Sequence, residues 1–420
     1  MKNILAAITL CAVGLTAFST TAGAVDLGGV DIHGFISQGF IKTPGQNNFP
    51  VSNSGKGSFN FNDFGINFTK EISPDLHLGL QLSAFDRGNY GRDKITIDWA
   101  YGDYRFKDWL GFRAGKVKIP LGLYNEARDN DALRTFIFLP QQAYFDYERD
   151  SLVAILGGGI YGSIPMGNAG TLNYQVEVGA VPAVSDGGFA KEIGGMLGGS
   201  SDTLNITDIN STTSIAHSLE WRTPVSGLRA LATGLHTSLS GTANVLDHAV
   251  PNADGVNTDH FTGTATWKYD NLHRYIFSLE YTLNDLILSG EYELDDYTLS
   301  TSSTYSNGTT GALNSKQATD SWVIMATYRF NDWFEMGSFY HEVYADRHHR
   351  DGSTHNDFWL AQPYNMWWKD TALTLRFDPV PNVVFKVEGH YINGNYEVIE
   401  NIGGAKKDSY ILASKVSYSF

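Results

Sequence analysis

The sequence predicts an all-β fold, a transmembrane antiparallel β-barrel of about 16 strands with short periplasmic turns and long extracellular loops. Three observations carry that prediction: a secretory leader, an apolar/polar alternation that runs to the last residue, and the lack of any apolar run of helix length in the chain after the leader. The leader is MKNILAAITLCAVGLTAFSTTAGA, where Lys2 precedes an apolar stretch from Ile4 to Phe18 and Ala22-Gly23-Ala24 offers small residues for cleavage. Residues 1–24 are read as a signal peptide and 25–420 as the barrel. Cys11 follows Leu10 rather than a small residue, so a lipid anchor is not expected. It is the only cysteine, and a mature chain without it has no disulfide, thiolate metal site or cysteine nucleophile.

The alternation is clearest in four segments. From Ser321 to Phe330, Trp322, Ile324, Ala326, Tyr328 and Phe330 share one face; Ser321, Thr327 and Arg329 share the other with Val323 and Met325. From Asp285 to Leu294 only Ile287 breaks the polar face. Leu76, Leu78, Leu80 and Leu82 alternate with His77, Gly79, Gln81 and Ser83. The final segment sets Tyr410, Leu412, Val416, Tyr418 and Phe420 opposite Ala413, Lys415, Ser417 and Ser419. One such strand fits a soluble sandwich equally well, but repetition along a chain of mean hydropathy -0.21 fits only a barrel with one lipid face and one wet face.

Tight turns fall at Ser73-Pro74-Asp75, Lys107-Asp108, Asn284-Asp285 and Asn331-Asp332. Long polar stretches lie near 43–57, 86–94, 119–150, 182–213, 240–271, 299–318, 345–368 and 394–407. Phe261 to Tyr269 also alternates, and counting it as a further strand would break the even parity of such barrels, so it is placed in a loop. Trp99, Tyr101, Trp109, Trp221, Trp333 and Phe377 sit where strands meet turns and are read as an interfacial girdle.

Composition closes off other classes. The net charge of -15 without a Lys/Arg block argues against a nucleic-acid partner. No G-x-S-x-G or H-E-x-x-H occurs, so an enzyme is not expected. Gly157-Gly158-Gly159 lies in an alternating strand, where glycines let a loop pack close rather than bind phosphate. His348, His349 and His355 could ligate a metal but read more simply as solvated loop residues, and no cofactor or metal is expected. Phe358, Trp359, Tyr364, Trp367 and Trp368 could form a stacking slide for sugar rings, or serve as girdle and loop packing.

Two stretches resemble Gram-negative outer-membrane porins of the general and phosphate-selective group. One is GFRAGKVKIPLGLYNEARDNDALRTFIFLPQQAYFDYERD, Gly111 to Asp150, with the pattern R-x-G-x-x-x-x-P-x-G-L-Y leading into a long loop. The other is the carboxyl-terminal YILASKVSYSF, similar to the signal that hands barrels to the assembly machinery through Phe420. The resemblance implies a homotrimer in outer-membrane lipid and a loop, 119–150, folded into the lumen as a constriction.

The inward face follows from the alternation and is ionic and mixed: Arg113, Arg222, Arg274, Arg329, Arg376, Lys386 and Lys415 against Asp98, Glu177, Glu220, Glu280, Glu291, Glu293, Glu335 and Glu388. The loop adds Asp146, Glu148, Arg149 and Asp150. Arg113, Lys116, Glu126, Arg128, Asp129, Asp131 and Arg134 are the expected pore constriction, whose transverse field favours small polar solutes or ions over apolar ones. The same charges could instead pair to hold the loop against the wall. Two functions remain open: passive diffusion through a water-filled channel, and a plugged barrel acting as a surface binding or adhesion protein.

Overall fold

A computed structural model describes residues 25–44, 49–141, 143–198, 202–251, 258–352, 362–396 and 406–420. The leader with Cys11, and His355, Phe358 and Trp359, lie outside the described residues. Eighteen strands form one antiparallel sheet. They are β1 (Val25–Asp26), β2 (Asp31–Lys42), β3 (Asn62–Ser73), β4 (Leu76–Asp86), β5 (Thr96–Lys107), β6 (Leu110–Lys118), β7 (Ala154–Pro165), β8 (Thr171–Ala180) and β9 (Asp202–Ser211). The chain continues through β10 (Ser214–Arg222), β11 (Leu228–Pro251), β12 (Thr258–Leu283), β13 (Leu286–Tyr305) and β14 (Thr310–Asn331). β15 (Phe334–Tyr344), β16 (Trp367–Val380), β17 (Val383–Gly394) and β18 (Asp408–Ser419) complete it.

Sixteen of these close the barrel, as the parity argument requires. β18 pairs with β2 from Leu412↔Lys42 to Ser419↔Phe35, which removes both sheet edges. β8 pairs directly with β10, while β9 lies beyond them and pairs only with the far end of β11. The two-residue β1 adds a short pairing to β2.

The loops at 240–271 and 299–318 are not loops. β11 has 24 residues, β12 26, β13 20 and β14 22, against about 9–11 needed to cross a bilayer. Phe261–Tyr269 is the upper part of β12, so it adds height and leaves the parity intact. The polarity that made these stretches look like loops has a physical cause: above the bilayer no lipid face is needed, and Thr264, Thr266 and Lys268 alternate with buried Ala265, Trp267 and Tyr269. The expected loop 182–213 likewise contains a helix, Gly188–Gly198, and β9. The helix buries Phe189, Ile193, Met196 and Leu197 against Tyr269, Leu239 and Ile206.

The barrel is apolar outside and polar inside. Leu78, Phe112, Leu279, Ile324, Leu373 and Leu412 are exposed on the outer face, where a soluble protein would hide them. Asp63, Glu291, Thr374, Lys386 and Lys415 are buried on the inner one. Trp109, Trp221 and Trp333 are exposed at the turn rim as expected of a girdle. Tyr101 departs from that expectation: it faces the lumen, where the Arg113 guanidinium lies 4.9 Å from its ring centroid, and the Trp99 ring lies tilted beside it at 5.4 Å.

Candidate functional site

Residues 119–153 connect β6 to β7 and run inside the barrel. Their anchors sit on strands far from where they start. Glu291 on β13 accepts from the Leu123 amide (2.9 Å) and the Tyr144 hydroxyl (2.8 Å). Glu388 on β17 accepts from the amides of Ile137 (2.7 Å) and Phe138 (2.8 Å). Thr135 donates to Glu335 on β15, Arg376 on β16 donates to the Arg134 carbonyl at 3.0 Å, and Lys386 donates to the Asp131 carbonyl at 2.6 Å. β15 stands halfway round the sixteen-strand ring from β6, so the loop crosses the lumen.

The crossing is held by a dry ionic network. Asp63 on β3 faces Arg149 (2.7 Å), Lys415 (2.5 Å) and Arg87 (2.9 Å), and Arg87 also reaches Asp146 at 2.8 Å. Asp131 takes Lys386 at 3.1 Å, Arg134 at 3.4 Å and the Ser417 hydroxyl at 2.9 Å. Arg274 joins Glu148 (2.6 Å) to Glu293 (3.0 Å) and Asp295 (2.8 Å). Charges this deep are tolerated only because each is matched, since desolvation costs several kcal/mol per ion. Burial pushes the Asp131 carboxyl up, but Lys386, Lys415 and Arg134 outweigh it and hold the group well below the usual carboxylate range. Asp146 is depressed in the same way, its burial outweighed by Arg87, Arg149 and Arg128. Aromatic packing fills the remaining space: Phe61 stacks on Phe138 at 5.1 Å, and Phe49 stacks on Phe145 at 5.5 Å.

The expected constriction residues divide. Arg128, Asp129, Asp131 and Arg134 are buried in the scaffold of the loop: Arg128 donates to the Tyr144 and Phe145 carbonyls, and Arg134 to the Phe136 carbonyl. Asp129 pairs with Lys118. Arg113 stays part-exposed on the wall, paired with Asp103 at 2.9 Å and flanked by the rings of Tyr101 and Tyr161. Glu126 is exposed on the loop. Lys116 is misplaced by the sequence reading, because it pairs across with Ala100 and outward-facing Leu156 and so shares the outer face with Phe112. Its ammonium donates to the Ile97 carbonyl. Gly115, φ 136°, pairs in unbroken register with Tyr101 and Gly157, so simple alternation from inward Arg113 turns Lys116 outward.

Sequence reasoning missed Asp63, Arg87, Asp103, Lys118 and Arg229. Asp63 was detectable, since it sits opposite outward Phe64 and shares the inner face of β3 with Gly65; Arg87 was not, because it follows the strand end and its role depends on Asp146 of the loop. Of the described members of the aromatic cluster, Trp368 is buried against Phe49, while Trp367 sits at the next, opposite-facing position and donates to Asn393. His349 pairs with Asp346 at 2.9 Å.

Two cavities flank the loop. One, of about 550 Å³, lies between Leu123 and Glu126 of the loop and the wall residues Tyr161, Gln175, Ser218 and Arg229. The other, of about 970 Å³, lies among Tyr90, Lys94, Asp150, Lys191 and Asn205 on the loop rim.

No family model matches the sequence, and no curated protein matches it. Solved structures do. OmpT of Vibrio cholerae, an outer-membrane protein, superposes with a TM-score of 0.52 at 11% identity, over 95% of this chain and 100% of that one. The outer membrane channel DcaP of Acinetobacter baumannii gives 0.51 at 12%, over 97% and 100%. Salmonella typhi OmpF, solved in complex with daunomycin, gives 0.52 at 12%, over 95% and 100%. At such identity the likeness is one of fold, and that fold is the Gram-negative outer-membrane porin barrel.

Proposed function

We propose that this chain is a non-enzymatic porin that admits small hydrophilic solutes or ions to the periplasm by passive diffusion. The observation that carries the reading is the 119–153 loop, which leaves β6, spans an ionic lumen and is anchored on β13 to β17. A barrel of sixteen strands is wide enough to hold such a loop and still leave aqueous space, and the two flanking cavities supply it. Removal of residues 1–24, assembly through the Phe420 strand and a homotrimer in outer-membrane lipid belong to the same reading.

The second reading, a plugged barrel that works through its outer surface, is favoured by one observation: the loop charges are spent on the wall, and Phe136, Phe138, Tyr144 and Tyr147 form an apolar filling around them. Purified protein in planar lipid bilayers separates the two. Stepwise ohmic conductance is expected, and a silent membrane at saturating insertion would favour the plug.

A further inference from the structure

A third cavity, of about 10 Å³, lies inside the fold of the 119–153 loop and has room for one water-sized particle. Four guanidinium groups line it: Arg128, Arg134 and Arg149 of the loop, and Arg87 from the segment after β4. Among the described residues, Asp146 is the one carboxylate in that lining. None of the four arginines is more than 9% exposed, so bulk water does not screen their mutual repulsion. Folding the loop inward is what gathers these like charges.

Carboxylates answer only some of them. Arg87 pairs with Asp63 and Asp146, and Arg149 pairs with Asp63, which also takes Lys415. Arg134 reaches Asp131 only at 3.4 Å and shares it with Lys386 and Lys415; its Nε is buried with no acceptor. Arg128 stands outside the network: it donates through one terminal nitrogen to two backbone carbonyls and makes no ion pair among the described residues. Burial, with Arg149 and Arg134 beside it, pushes this guanidinium down to about 10 against the pull of Asp146 and Glu148. An arginine does not give up its proton near neutral pH, so the charge stays and calls for a counter-ion. The other acids close by, Glu148, Glu293 and Asp295, converge on Arg274 instead. The uncharged acceptors are engaged as well, Gln141 Oε1 by the Asp146 amide, while the Tyr144 hydroxyl is turned to Glu291.

We propose that this cavity is a halide site, in which one chloride seated against Arg128 and Arg134 completes the charge balance inside the loop and fastens it in the lumen. Size selects the ligand class: a space for one particle excludes carboxylates, phosphate and sugars and admits a monatomic anion. Chemistry selects it over water, because an anion takes spare N–H donors and offsets their charge, whereas a water also needs acceptors for its own protons. Asp146, which would repel the ion, is already held by Arg87 and lies against Arg128 and Arg149. The site goes beyond the choice between channel and plug, since the loop is folded inward in both. It makes retention of the loop depend on halide in the medium.

The test compares the whole barrel in detergent in sodium chloride and in sodium gluconate, whose anion is too large for the cavity, at equal ionic strength and pH 7. Chymotryptic cleavage within residues 119–153 should be about threefold slower in chloride, the factor expected at about twice the dissociation constant, and bromide should protect as chloride does. Arg128→Met, with folding verified by the heat-dependent gel shift of the barrel, should abolish the difference between the salts. Equal cleavage of the wild type in both salts would overturn the site, and so would a salt difference that survives in Arg128→Met. Crystals of the wild type grown in sodium bromide give an arm that needs no variant. An anomalous peak between Arg128 and Arg134 is expected, and a map with no bromine signal there would overturn the proposal in favour of water.

Discussion

The ion pairs on β17, β18 and β3 and the Arg113–Asp103 pair between β5 and β6 are built from the same residue types around the same lumen, yet the first are dry and the second is wet. On the first, Asp63, Lys386 and Lys415 are buried and locked to each other and to Asp131 and the backbone of the loop. On the second, Arg113 and Asp103 form an equally good pair that water still reaches. The difference teaches what an ion pair is for. A pair sealed under a loop is a joint, because removing either half strands a charge in a medium that cannot solvate it. A pair open to water is worth little to stability and leaves its field available to a passing solute.

Substitution on the dry wall should therefore have the largest effect. Asp63→Asn leaves Arg87, Arg149 and Lys415 converging without their shared counter-charge and should cost about 3–5 kcal/mol in urea unfolding of the detergent-solubilised barrel. A loss below about 1 kcal/mol would erase the distinction between the walls.

Acid should act next, and late. Asp131 and Asp146 are held below their ordinary value of 3.8, so they contribute stability above that value and lose it as pH falls through their lower folded ones. Proteolysis of the loop should stay slow from neutral pH down to about pH 4 and accelerate only below it. Release of the loop by about pH 5 would mean that these carboxylates are not what holds it.

The wet wall should respond least to loss of its cation–π contacts. Arg113→Lys forfeits guanidinium stacking between Tyr101 and Tyr161 and should cost about 0.5–1 kcal/mol, a small displacement of the thermal midpoint. A cost matching that of Asp63→Asn would make Arg113 a joint after all.

The barrel itself was legible because alternation is a local property. Leu76 to Ala84 and Ser321 to Phe330 each declare two faces within one strand, and a lipid face has no other use for Leu78 or Ile324. Asn284, at positive φ in the β12–β13 turn, marks its hairpin for the same reason. The height of β11 to β14 was obscured because strands beyond the bilayer lose the lipid face that identifies them. Lys116 was assigned inward although alternation itself turns it outward: Arg113 and Gly115 share one face of β6, and Ala114 and Lys116 the other.

The candidate site was legible as residues and not as roles. Sequence placed Arg128, Asp129, Asp131 and Arg134 in a long loop, and that they are charged needs no structure. Whether a charge faces a solute or a partner depends on groups far off in the chain: Asp131 meets Lys386 and Lys415, and Arg87 meets Asp146. The sequence by itself determined the barrel, its parity and its inside-out polarity, because the pleat repeats every two residues whatever lies across the lumen. Only the tertiary structure decided which wall the loop seals, because burial and pairing are properties of the space between strands rather than of any strand.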